Sequence, residues 1–249
     1  MLNSFFMALS MFSKLPVPEI DFDKANMKYA LCFFPVIGLI IGFFQCLIYT
    51  FLKYAGFGDL FVACIITVMP VLITGGIHID GFMDTSDARK SYGSKEKKLK
   101  ILSDPHIGAF SVISIIVYMI VYFGAVYQAG PKGIFAFAKC FILSRALSGF
   151  AAVTFKCAKK EGLLFTFADS ADVEFTRSVL VAIFVLTALW LILKDGKCGF
   201  ICVLSTLCVF GYYRYFSYNE FGGITGDLEG YFLQICELAA LLCATVFGR

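Results

Sequence analysis

Long runs without Asp, Glu, Lys or Arg recur along the chain: 24 residues over 29–52, 20 over 60–79 and 27 over 105–131. A helix needs about 20 apolar residues to cross the hydrocarbon core of a bilayer. The pattern therefore predicts spans near 29–52, 57–77 and 107–128. Residues 133–155 predict a fourth, interrupted by Lys139 and Arg145. Two runs of 16 residues, 178–193 and 198–213, flank the turn Lys194-Asp195-Gly196-Lys197 and predict a helical hairpin. Arg177, Lys194, Lys197 and Arg214 stand at its ends, where long cations snorkel. Residues 230–248 predict a seventh span, with Glu237 inside. The fold class is thus an all-α polytopic membrane protein of seven transmembrane helices forming one domain over 1–249. Residues 1–13 are apolar but lack the basic start and small-residue cleavage site of a signal peptide. They predict an interfacial or re-entrant helix.

Composition narrows the class further. Hydrophobic residues are 59% and charged residues 16%, against roughly 45–50% and 25% in soluble domains. Mean hydropathy is +0.83. A soluble globule, a disordered chain and a nucleic-acid-binding domain are excluded, and a net charge of +3 calls for no polyanion. Membrane lipids are the expected surroundings, and a homo-oligomer is compatible with them. The ten cysteines form no CxxC pair, and only two histidines accompany them. They read as small apolar fillers rather than as a zinc site or disulfide framework.

Lys and Arg positions set the orientation. With the N-terminus inside, inner segments hold fourteen of them and outer segments five: Lys53, Lys132, Lys194, Lys197 and Arg249. The expectation is a multi-pass protein of the cytoplasmic membrane, N-terminus inside and C-terminus outside. Its polar loops at 78–106, 156–177 and 214–229 then face the cytoplasm. Lys95 to Lys100 reads as a solvated, positive inner loop.

One of those loops holds Gly75-Gly76-Ile77-His78-Ile79-Asp80-Gly81-Phe82-Met83-Asp84-Thr85-Ser86-Asp87. At about 100° per residue, Asp80, Asp84 and Asp87 share an arc of roughly 60° on a helix. Like charges so placed repel, and a hard divalent cation with oxygen ligands is the natural compensation. A solvated helix end would need neither the two glycines nor the alignment. Gly75, Gly76 and Gly81 lack a Cβ and would let backbone approach a phosphate. A helix starting after Gly76 would also present its N-terminus to an anion. His78 lies about 160° from the acidic face if the helix is continuous, and a break at the glycines would free it to act as a base. A second loop, Phe221-Gly222-Gly223-Ile224-Thr225-Gly226-Asp227, repeats glycines, a hydroxyl and a carboxylate. Together the two loops point to metal-assisted phosphoryl transfer beside the membrane. Arg145 and Glu237 are charges deep in spans; either they neutralise each other or Arg145 binds substrate. His106 opens the third span as an interfacial polar residue.

The chain resembles the cobalamin synthase family, the adenosylcobinamide-GDP ribazoletransferases, over nearly its whole length. The resemblance rests on the run Gly75 to Asp87 and on Gly222-Gly223-Ile224-Thr225-Gly226-Asp227. Weaker support comes from Leu15-Pro16, the stretch Phe34 to Gly42, Ser103-Asp104, Ser144-Arg145, Glu161-Gly162-Leu163 and Glu237-Leu238. Departures are Ser13-Lys14 in place of Thr-Arg, Ala88 in place of glycine, and Leu228-Glu229-Gly230-Tyr231 in place of a run of small residues. The resemblance implies Mg²⁺-dependent joining of adenosylcobinamide-GDP to α-ribazole or its 5′-phosphate, with release of GMP. It implies that Asp80, Asp84 and Asp87 hold Mg²⁺, and that Asp227 holds a second metal or orients the nucleophile. His78, Asp84, Asp227 and Arg145 form the expected catalytic set. Lys14, Gly75, Gly76, Gly81, Arg145, Glu161 and Thr225 form the expected substrate-binding set. Either His78 or an uncoordinated Asp oxygen serves as base. A rival reading from another class is a secondary transporter, whose site would lie at the bilayer midplane between internal repeats.

Overall fold

The computed structural model describes residues 1–248, so Arg249 lies outside the described residues. The chain is all-α. Helix α1 (Leu2–Phe12) and the short α2 (Lys24–Met27) precede a 3₁₀ turn at Ala30–Phe33. Then follow α3 (Phe34–Tyr54), α4 (Asp59–Thr74), α5 (Ile77–Lys90), α6 (Lys95–Ile101) and α7 (Ala109–Gln128). The chain ends with α8 (Pro131–Thr154), α9 (Leu163–Ser170), α10 (Val173–Phe221) and α11 (Gly226–Phe247). Pro35 and Pro131 occupy first-turn positions of α3 and α8, where a missing N–H costs nothing.

Five helical segments are long and apolar enough to cross a membrane: Ala30–Tyr54, α7, α8, α10 and α11. The protein is therefore a multi-pass membrane protein. A sixth candidate is the bent pair α4 and α5, which meet at 93°. The expected span at 57–77 is instead a 16-residue helix cut off at Gly75 and Gly76, both left-handed (φ 66° and 82°). Two successive left-handed residues end one helix and redirect the next, and glycine adopts them without strain. The expected spans at 178–193 and 198–213 fall within the 49 residues of α10, which is broken at Gly196 (φ 55°, ψ −125°). Gly199 packs against the carbonyl of Leu191, eight residues earlier. In a straight helix the two would stand about 12 Å apart, so the run doubles back on itself. A count of seven requires both arms of α10 and the bent α4–α5 unit.

Helix α8 is the axis of the bundle, buried along most of its length. Helix α3 approaches it through Gly38 and Gly42, which pack on the backbone of Phe141 and Ala138. Small residues four apart permit such contact between membrane helices. Within this apolar packing Arg145 and Glu237 form an ion pair of 2.7 Å, with side chains 1% and 2% exposed. Ser144 also donates to Glu237. Helix α1 buries Ser4, Met7, Ala8 and Leu9 against its neighbours, and the ring of Phe12 packs tilted against that of Phe34, with centroids 4.4 Å apart. All ten cysteines are free.

At one end of the bundle α5 lies across α11. A Cβ on Gly81 would come 2.8 Å from the backbone of Asp227, and one on Gly230 would come 2.8 Å from the carbonyl of His78. The far end of α5 is tied down by Arg89, which donates to Glu220, Tyr231 and Tyr212. Lys98 adds a 2.7 Å bridge to Glu220, so this lysine of the positive loop is structural rather than solvated. The polar loops collect at the same end. Ile224 donates to the carbonyl of Lys156 and accepts from the amide of Ala158, and Lys159 donates to Ser103.

Two outcomes follow from this packing. Arg145→Gln and Glu237→Gln each strand a buried charge and should lower stability by about 3–5 kcal/mol. An apolar double replacement, Arg145→Met with Glu237→Leu, should recover most of that loss in thermal unfolding of the detergent-purified protein. Gly81→Ala should cost about 1–3 kcal/mol by overpacking α5 on α11. Gly124→Ala, whose added methyl would have no neighbour within 4 Å, should be near neutral in the same measurement.

Candidate functional site

Helix α5 supplies the acidic face. Asp80, Asp84 and Asp87 lie in one unbroken helix, so they share the arc expected of them. Polar along most of its length, α5 is not itself a span; it covers the mouth of a cavity of about 380 Å³. Around that mouth stand Asp80, Asp227, Thr225, Ser103, Lys159 and Glu161. The inner wall is apolar, built from Phe12, Leu31, Phe34, Phe167 and Leu233. Helix α11 turns Gly226, Glu229, Gly230 and Leu233 toward the cavity, the spacing of one helical face. Thr225 caps α11 by accepting from the amide of Leu228, which fixes where the helix begins and places Asp227 in its first turn rather than in a loop.

The four aspartates have no cation within 4 Å among the described residues. Asp84 is pushed up to about 6, first by burial and then by Asp80, Asp227 and Asp87. The fields of the four carboxylates overlap. Among the described residues no three His, Cys, Asp or Glu side chains converge as a metal-binding group. Asp80 and Asp227 line the cavity. The carboxylate of Asp87 instead lies on Gly108, where a Cβ would collide with it. His78 also lines the cavity, is 6% exposed, and its Nε2 has no hydrogen-bond partner. Burial, and then Arg145, hold its ring well below the usual histidine range, so it is neutral near pH 7.

Several of the expected site residues lie outside the cavity lining. Nη1 of Arg145 donates to Glu237, to Ser144 and to the carbonyl of Phe141, and the side chain does not line the cavity. Of the two alternatives for this charge, mutual neutralisation is the one realised. Gly81 serves the close crossing of α5 and α11. The space beside Gly75 is filled by the Lys14 side chain, and Gly75 and Gly76 build the α4–α5 turn. Lys14 is exposed at that turn, outside the cavity lining. Glu161 and Thr225 do line it. His106 is exposed and pairs with Asp104 at 2.6 Å.

Sequence reasoning missed Lys159, Ser103 and Glu229. Lys159 supplies the cation at the mouth, held there by Ser103. Glu229 is 6% exposed, accepts from Ser148 at 2.5 Å and from Tyr213 at 2.8 Å, and lines the cavity. Its only signal was the departure at Leu228-Glu229-Gly230-Tyr231.

Comparison with known proteins places this geometry. A family model described as cobalamin-5-phosphate synthase matches residues 4–245. An adenosylcobinamide-GDP ribazoletransferase of Lachnoclostridium phytofermentans is 43% identical over 245 residues, covering 98% of this chain and 94% of its own length. One from Clostridium botulinum is 33% identical over 246 residues, covering 97% and 96%. One from Fusobacterium nucleatum is 27% identical over 270 residues, covering 95% of each. No solved structure matches the chain. With a match that spans almost every residue, the chain belongs to the cobalamin-5-phosphate synthase family.

Proposed function

We propose that this protein is the membrane transferase that joins adenosylcobinamide-GDP to α-ribazole or its 5′-phosphate. The observation that carries the reading is the whole-length family match together with a cavity whose mouth is acidic and whose interior is apolar. An acidic mouth suits diphosphate chemistry through a metal, and an apolar interior suits a nucleoside base. Family membership also sets aside the transporter alternative.

In the reaction a free pentose hydroxyl of the ribazole unit attacks the cobinamide-linked phosphorus. The new O–P bond forms as the P–O bond to GMP breaks, and GMP departs with that electron pair. The proton of that hydroxyl passes to a base. The donor set of Asp80, Asp84, Asp87 and Asp227 is all oxygen and carries no internal counter-ion, which fits a hard divalent cation such as Mg²⁺. When bound, Mg²⁺ would neutralise charge developing on the diphosphate. Asp80 and Asp227, which line the cavity, are the residues that would hold it there, with Asp84 and Asp87 on the same face of α5. Lys159 is placed to offset negative charge at the mouth. Neutral His78 and an aspartate oxygen are the two proton acceptors at hand. Catalysis of this kind is mostly positioning and electrostatics.

We also assign the mouth to the cytoplasmic side of the cell membrane, with the N-terminus inside and seven crossings. The support is the excess of Lys and Arg in the segments that collect at that end.

Asp80→Asn, Asp84→Asn, Asp87→Asn and Asp227→Asn proteins should insert and extract normally, because none of these carboxylates packs the apolar spans. GMP release from adenosylcobinamide-GDP should fall by roughly a hundredfold or more in each, and the losses should not add. Wild-type turnover and Mg²⁺ dependence in Asp84→Asn would sink the metal site. For topology, a cysteine placed at position 93 in a Cys-depleted background should label only from the cytoplasm; labelling from outside alone would reverse the orientation.

A further inference from the structure

A second hollow lies apart from the acidic cavity: a groove of about 570 Å³ between α7 and α11. Ile113, Val117 and Val121 of α7 form one wall, and Ile235 and Leu238 of α11 form the other. The three α7 residues are 55%, 56% and 39% exposed. Helix α7 is one of the membrane spans and carries no Asp, Glu, Lys or Arg. Exposed side chains on such a helix meet lipid rather than water.

One end of this groove is cationic. Arg89 and Lys90, from the last turn of α5, line it together with Tyr92. Arg89 donates to Tyr231, one turn before Ile235, and Ser111 of α7 donates to the carbonyl of Met83 in α5. The charges therefore stand at the end where α7 and α11 begin. Arg89 and Lys98 share the single carboxylate of Glu220. Lys90 is exposed and makes no ion pair among the described residues. Two positive charges are thus left over at the head of the groove. Tyr92, 89% exposed, adds an amphipathic ring of the kind that settles at headgroup level. From Ile113 to Val121 helix α7 rises about 12 Å, while one leaflet is half of a hydrocarbon core of about 30 Å. The apolar channel is therefore about one leaflet deep. A free anion would use only the head of this site, and a lipid without net charge would leave the head unmatched. A phospholipid with an anionic head group uses both parts, and basic pockets between membrane helices hold such head groups.

We propose that this groove binds one anionic phospholipid, with its phosphate at Lys90 beside Arg89 and one acyl chain between α7 and α11. The inference goes beyond the function proposed above; it rests on the membrane-spanning fold and not on the transferase reading. Arg89 fixes the end of α5, so the lipid sits against the helix that carries the acidic face.

The experiment is native mass spectrometry of the delipidated full-length protein. The probes are phosphatidylglycerol and phosphatidylcholine with the same acyl chains, and inorganic phosphate as competitor. Wild-type protein should bind its first phosphatidylglycerol roughly ten- to thirtyfold more tightly than phosphatidylcholine, and equimolar phosphate should not displace it. Lys90→Glu should shrink that ratio to within about threefold. Lys100→Glu, an exposed position of the same positive loop outside the groove lining, should leave it near the wild-type value. Val117→Trp, which fills the channel, should weaken both lipids by roughly tenfold. Lys90 and Val117 are exposed, and an unchanged melting temperature shows that the variants fold. The wild-type ratio needs no variant. Equal affinity for the two lipids overturns the proposal, as does displacement of the lipid by phosphate. So does an unchanged ratio in Lys90→Glu, an equal loss in Lys100→Glu, or undiminished lipid binding in Val117→Trp. GMP release plays no part in the readout, so failure of the transferase reading and failure of the lipid site are told apart.

Discussion

Everything at the cavity depends on how closely α5 crosses α11. The two helices meet where Gly81 faces the backbone of Asp227 and Gly230 faces that of His78. Any side chain at either crossing point would push the helices apart by a methyl group or more, and interiors packed near crystal density transmit such shifts. Asp80 and Asp84 flank one glycine, and Asp227 and Glu229 flank the other. One steric constraint therefore sets the spacing of the acids. The left-handed pair Gly75-Gly76 delivers α5 to the crossing, and Arg89, with its bonds to Glu220, Tyr231 and Tyr212, holds the other end.

Local patterns in the chain carried the features that are themselves local. The spans follow from runs of apolar residues. The aligned aspartates follow from a spacing of four and three within one helix. The reversal of α10 follows from a charged turn with a glycine at its centre. Features that need distant segments to meet were not readable in this way. Nothing near Lys159 announces that Ser103 will hold it at the cavity, since the two are 56 residues apart. The two readings of Arg145 could be separated only by knowing whether α8 and α11 touch. Gly81 looks the same in sequence whether it admits a phosphate or a helix; only the neighbour decides. Glu229 stands where the chain leaves the family's usual run of small residues, so it had no motif to make it visible.

The bundle grades from apolar to charged along its axis, and the polar groups of α8 and α11 meet in tiers. Ser148 and Glu229 meet beside the cavity; Ser144, Arg145 and Glu237 meet deeper in the packing. The upper tier faces space that a substrate can occupy, and the lower tier is closed. A closed charge pair contributes pairing specificity between its helices. The same chemical types thus serve two purposes according to what lies beside them.

The pair between Arg145 and Glu237 has a further consequence for how the protein is made. The two residues are 92 positions apart. At a synthesis rate of about 5–20 residues per second, Arg145 waits roughly 5 to 20 seconds for its partner to leave the ribosome. An arginine at the centre of a helix costs about 2.5–3.5 kcal/mol on insertion scales, and α8 is also the least hydrophobic of the candidate spans. Helix α8 therefore has reason to linger in the insertion machinery rather than partition into lipid alone. Asp195 arrives first and pairs with Lys139 of the same helix, and α11 then brings Glu237 to Arg145, so the charges of the axial helix are met in turn by segments made after it.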